Sequence, residues 1–132
     1  MNGETDLTAL LRGMSATLID GVFVFVTLQP DEVPAGLTPR MTFLEAEGVT
    51  LILPQAEAID HGIPHEFPSR MITLNVHSAL EAVGFMAHIA TALADKGMGV
   101  NPVAGFYHDH LFVPNGREAE AMAVLKQISE TR

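Results

Sequence analysis

Cysteine and tryptophan are absent from the chain, and tyrosine occurs once. Without a thiol there is no disulfide and no thiolate chemistry, which suits a reducing cytoplasm. Basic residues are scarce too: seven Lys and Arg stand against sixteen Asp and Glu, a formal charge of -9. That balance opposes attraction to phosphate backbones and anionic lipids, so neither nucleic acid nor a membrane surface is an expected partner. No apolar stretch reaches the roughly 18 to 20 uninterrupted residues of a membrane span. Glu4 and Asp6 stand where a secretory leader would carry basic residues, and a cytoplasmic location is the expectation.

What is abundant is aliphatic. Hydrophobic residues make up 48% of the 132 and charged residues only 17%, enough to build a core and too apolar for a disordered chain. The length fits one ordinary domain or two small halves sharing a core. Charge is divided unevenly: residues 1–66 hold ten acids and two bases, net -8, whereas residues 67–132 hold six acids and five bases, net -1.

Asp6 or Thr5 caps a short helix whose Leu7, Leu10, Leu11 and Met14 follow helical spacing. Val22 to Val26 is a continuous β-favouring run, expected as a central strand covered on both faces. The prolines of the Gln29 to Pro39 stretch predict a loop. Met41 to Glu45 and Val49 to Leu53 form a hairpin around Ala46, Glu47 and Gly48, the glycine standing where a positive φ would be needed. Pro54 opens a short helix that Gly62 and Pro64 close.

The second half begins with alternation from Arg70 to Val76, placing Ile72, Leu74 and Val76 on one face. Ser78 with Glu81 matches a capping box, predicting a helix from Ser78 to Lys96 stopped by Gly97, with Glu81, Gly84, His88, Thr91 and Asp95 as its polar stripe. Strands from Val100 to Phe106 and Leu111 to Val113 follow, Pro102 marking an edge or a bulge, and a helix from Arg117 to Ser129 ends the pattern. Strand, helix, strand, strand, helix lacks one strand of a ferredoxin-like βαββαβ unit. A strand lent by the first half would complete it, making two interlocked halves, 1–66 and 67–132, with antiparallel sheets packed against helices in an α+β fold.

The densest polar group is His108, Asp109 and His110. A His-x-His pair on a strand turns both rings to one side, and with Asp109 or His77 could hold a divalent metal, although hairpin tips also collect such residues because they are wet. His77, Ser78 and Asp109 spell a nucleophile triad only by composition, since no nucleophile elbow surrounds the serine. His88 and His61 read as surface residues, His61 near a helix C-terminus. Glu57 and His61 lack the second histidine of a zincin, and Gly97 with Gly99 is only a fragment of a phosphate loop, so no cofactor is expected. The turn at His77, Ser78 and Ala79 offers backbone amides at a helix start, where a carboxylate ligand would bind.

The stretches VHSALEAVGFMAHIATALADKG and GVNPVAGFYHDHLFVP, supported by TDLTALLRGM, GVFVF and TFLEAEGVTLIL, resemble short bacterial proteins of two consecutive ACT-like units. The resemblance implies a non-catalytic regulatory module that binds a small molecule, commonly an amino acid, and forms a homodimer. It also implies a ligand seated against His77, Ser78 and Ala79 and against Asn101, Pro102 and Val103; His108, Asp109 and His110, the densest polar group, stand beside these as candidate ligand-binding residues on their own chemistry. A ligand-free structural or protein-interaction module, and a metal-binding enzyme using the His108 to His110 tip, are the alternatives.

Overall fold

A computed structural model describes residues 6–76 and 82–130. The expected first helix forms as α1 (Leu7–Gly13), capped by the Asp6 carboxylate, which accepts the Ala9 N–H at 3.0 Å. Leu10, Leu11 and Met14 are all buried, as their spacing requires. After it come β1 (Ala16–Leu18), β2 (Phe23–Leu28), β3 (Met41–Leu44), β4 (Val49–Pro54), α2 (Gln55–Asp60), β5 (Glu66–Leu74), α3 (Phe85–Ala94), β6 (Asn101–Ala104), β7 (Asp109–Pro114) and α4 (Glu118–Glu130).

The chain divides into two compact units: residues 21–69, and residues 1–20 together with 70–132. In the 21–69 unit, β2 lies between β4 and the first residues of β5, with β3 outside β4, so the apolar Val22 to Val26 run is central as expected. Val24, Val26, Val49, Leu51, Leu53, Ala58 and Ile63 form its core. Where a ferredoxin-like unit would place a first helix, the proline-rich loop makes only a 3-10 turn at Pro30–Glu32, closed by Gln29 N–H donating to the Glu32 carboxylate at 3.0 Å. Val33 and Leu37 from that loop pack onto the core instead. Thr38 fastens the loop to α2, its amide and hydroxyl both donating to the Glu57 carboxylate.

Gly48 closes the β3–β4 turn for a reason other than the one its sequence position suggests. It is not among the positive-φ glycines; a β-carbon there would lie 3.0 Å from Thr27 Oγ1 and 3.1 Å from the Leu28 carbonyl oxygen. Close approach of backbone, rather than a left-handed turn, is what the missing side chain permits.

In the other unit β1 pairs antiparallel with β5, Ala16 opposite Leu74 and Leu18 opposite Ile72. A strand from the N-terminal stretch thus pairs with the strand that opens the second half, and the α+β, ferredoxin-like architecture is present. One core joins Leu10, Leu11 and Met14 to Ile72 and Leu74, to Phe85, Ile89 and Leu93, to Leu111 and Val113, and to Ala121, Leu125 and Ile128. Arg70 is drawn into this unit by Glu118, 3.0 Å away, and by the Ile19 carbonyl at 3.4 Å.

Two expectations shift. The alternating strand begins four residues before Arg70, because Ser69 is also buried and its hydroxyl donates to the Phe23 carbonyl at 3.0 Å. The helix expected from Ser78 is not continuous to Lys96: residues 82–84 are not helical, and α3 starts after Gly84, whose φ of 88° interrupts a right-handed helix. The proposed cap pair Ser78 and Glu81 lies outside the described residues.

Candidate functional site

Strands β6 and β7 form a hairpin in which Gly105 N–H donates to the His108 carbonyl at 2.9 Å. The turn takes Gly105 and Phe106 out of the expected first strand, so β6 is shorter than its composition suggests. Register puts Val103 opposite His110, Asn101 opposite Phe112 and Ala104 opposite Asp109. Since successive strand residues point to opposite faces, Asn101, Val103 and His110 share one face. Asp109 shares the other with Leu111 and Val113, which belong to the helix-covered core.

On the face away from the helices, Thr73 Oγ1 lies 3.0 Å from His110 Nδ1. This fixes the plane of the half-buried imidazole from a neighbouring element of the same unit. Thr17 accepts a 2.7 Å bond from the Asn75 side-chain amide on this face, and Thr17 is paired with Thr73 across the ladder. This face therefore carries a hydrogen-bonded polar set beside Val103, with Phe112, opposite Asn101, buried on it. His108 sits in the turn, its ring centroid 6.4 Å from that of His110.

The sequence-derived residues thus separate into three sets. Asn101, Val103 and His110 come together on one sheet face, with His108 at its end. Asp109 is sent to the opposite face by strand alternation, so the three tip residues do not converge as the metal reading needs. Among the described residues, no group of three or more His, Cys, Asp or Glu is arranged to hold a metal ion. His77, Ser78 and Ala79 lie outside the described residues. His61 ends α2 as expected, its Nδ1 3.0 Å from the Glu57 carbonyl oxygen.

A concavity elsewhere in the chain left no direct mark in the sequence. In the 21–69 unit a cleft of about 540 Å³ is bordered by Phe25, Thr27, Glu45, Thr50, His65 and Glu66. Its residues come from four separate places in the chain, and the only signal pointing there was the excess of acid in the N-terminal half.

The two small α+β units and the polar face of the hairpin define a class: this chain belongs to the ACT-domain family. One ACT-domain model matches residues 2–70 and a second matches residues 66–127. Among solved structures the chain is similar to VC0802 of Vibrio cholerae, described as a protein of unknown function and possible transport protein. The two are 38% identical over 93% of this chain and 95% of that one, with a TM-score of 0.83. Atu0741 of Agrobacterium tumefaciens shares the fold at 14% identity, covering 88% of this chain and 89% of its own, with a TM-score of 0.69. The regulatory subunit of aspartate kinase from Thermus flavus shares it at 10% identity, covering 97% and 99%, with a TM-score of 0.60. No curated protein matches the chain at a significant level.

Proposed function

We propose that this protein is a non-catalytic regulatory module that binds a small molecule, with amino acids the first class to test, at the β6–β7 hairpin. The observation carrying the reading is the Thr73–His110 bond at 3.0 Å, which holds an imidazole beside Val103 and Asn101 on the sheet face opposite the Leu111 and Val113 core. A polar group fixed before the ligand arrives loses little freedom on binding. His108 and Asp109 would border the ligand at the tip, and His77, Ser78 and Ala79 would supply backbone amides for a carboxylate. Family membership of both halves and the likeness to a regulatory subunit support a regulatory rather than a chemical role. A homodimer acting in the cytoplasm belongs to the same reading.

The test is a thermal-shift screen of the twenty amino acids and common nucleotides against the full chain. At least one compound should raise the melting temperature in proportion to the logarithm of its concentration once well above its dissociation constant. His110→Ala and Asn101→Ala should abolish that response. If no compound stabilises the wild-type protein, the reading fails.

An interaction module without a ligand draws on a different observation. Strand β3 stands at the outside of its sheet, and on it Phe43 is 62% and Leu44 75% exposed. That reading expects association that depends on protein concentration and on Phe43 and Leu44, with no response in the screen.

A further inference from the structure

The cleft of the 21–69 unit has a structural cause. Strand β2 keeps β4 as a partner to its last residue, Leu28 opposite Val49, whereas its pairing with β5 ends at Phe25 opposite Glu66. Beyond Phe25, no strand among the described residues pairs with that edge of β2. Between Glu66 and Ser69, β5 carries one residue more than β2 does between Phe25 and Phe23, a bulge at which Phe67 adopts φ 56°. The incoming chain at Pro64 and His65 is turned off the ladder there, and the cleft of about 540 Å³ fills the gap.

Its lining has one electrostatic character. The Glu45 carboxylate accepts the Thr50 hydroxyl proton and keeps its remaining lone pairs. Glu66 is exposed at the rim. His65 Nδ1 lies 2.9 Å from the Ile63 carbonyl oxygen, which can only accept, so the neutral ring carries its proton on Nδ1 and leaves Nε2 as an acceptor. Phe25 supplies an aromatic surface, supported by Phe67 with ring centroids 5.8 Å apart. Among the described residues, neither Lys nor Arg borders the space. The unit as a whole has seven acids and Arg40 as its one base, net -6, which raises the local concentration of cations.

From this lining we propose that the cleft binds an organic ammonium ion: a primary amine on an apolar body, without a carboxylate. The ammonium would donate to Glu45, Glu66 and His65 Nε2, and the apolar part would lie on Phe25, where a nearby cation also gains from the ring face. A carboxylate on the same ligand would have to enter between two glutamates without a cationic partner. This separates the cleft's ligand from an amino acid held at the hairpin.

Isothermal titration of the full chain with phenethylamine tests this, with phenylpropanoate and phenylalanine as comparators. Saturable binding of the amine at low ionic strength is expected, with markedly weaker binding of both carboxylates. The double variant Glu45→Gln, Glu66→Gln, which keeps hydrogen-bonding atoms but removes charge, should weaken amine binding roughly ten-fold or more, with an unchanged circular dichroism spectrum. His110→Ala should leave amine binding intact, so failure of the hairpin reading does not bring this one down. Absence of saturable binding at millimolar amine, equal binding of phenylpropanoate, or unaltered affinity in the double variant would each overturn the proposal.

Discussion

Gly105 has only a hydrogen where a β-carbon would stand 2.8 Å from the His108 carbonyl oxygen and 3.4 Å from His110 Nε2. The first of these atoms is backbone and belongs to the bond that closes the hairpin, so it cannot swing aside. Gly105→Ala should therefore cost about 1 to 3 kcal/mol, as overpacked sites do, read from the urea midpoint. The imidazole beside it should move as well, seen as shifted His110 ring resonances. Two carboxylates give the residue scale a pH dependence. Glu57 is held below the ordinary carboxylate range chiefly by the Thr38 hydroxyl and then by the Thr38 amide. Glu118 is lowered first by its own backbone amide and by that of Gly116, with Arg70 contributing less. A carboxylate lowered in the folded state binds fewer protons there than in the unfolded chain, so its stabilisation is complete above the unfolded value and disappears as pH falls through the folded one. Urea midpoints should hold near neutrality and decline in acid below the ordinary carboxylate range. Glu57→Gln and Glu118→Gln should each lower the neutral midpoint and flatten that decline, whereas a slope unchanged in both variants would refute the assignment.

Among the elements, the short helix α1 shows how much a cap and a spacing decide. It has only seven residues, too few to persist alone, and is held by Leu10, Leu11 and Met14 in the core and by the Asp6 carboxylate at its start. Asp6→Ala should cost about 1 kcal/mol, whereas Leu10→Ala should cost about 2 to 5 kcal/mol because it empties a fully buried position. Both are read by chemical denaturation. This helix, the central strand β2, the β3–β4 hairpin, α2 and α4 were legible because each rests on local signals: apolar spacing, a capping acid, proline and glycine at the ends. The start of α3 was not, since Gly84 is a tolerable helix residue by composition and only its left-handed φ reveals the break. Nor was the bulge in β5, because register between strands far apart in sequence leaves no mark on either one. At the candidate site, the shared face of Asn101, Val103 and His110 follows from alternation and could be read. The clamp by Thr73 depends on which strand lies beside β7, and the cleft at Glu45 and His65 depends on where a strand stops pairing.

At the scale of the whole molecule, the first twenty residues fold with the last sixty-three rather than with the residues that follow them. Residues 1–20 and 70–132 form one compact unit, and α1 and β1 within it complete a core and a sheet edge that residues 70–132 cannot close. Ile72 and Leu74 are wholly buried, and their strand segment has β1 as its antiparallel partner. A fragment of residues 70–132 should consequently expose Leu10's, Leu11's and Met14's vacated contacts on α3 and α4, bind a hydrophobic dye and melt without a cooperative transition. Small domains are marginal even with a full core. Adding a peptide of residues 1–20 in trans should restore helical circular dichroism and a cooperative melt. A Leu10→Asp version of the peptide should not, because a charge would enter that core without a partner. Should the 70–132 fragment melt cooperatively by itself, the N-terminal segment would be an accessory to its core. Should the peptide rescue depend on adding residues 21–69 as well, the division of the chain into these units would be wrong.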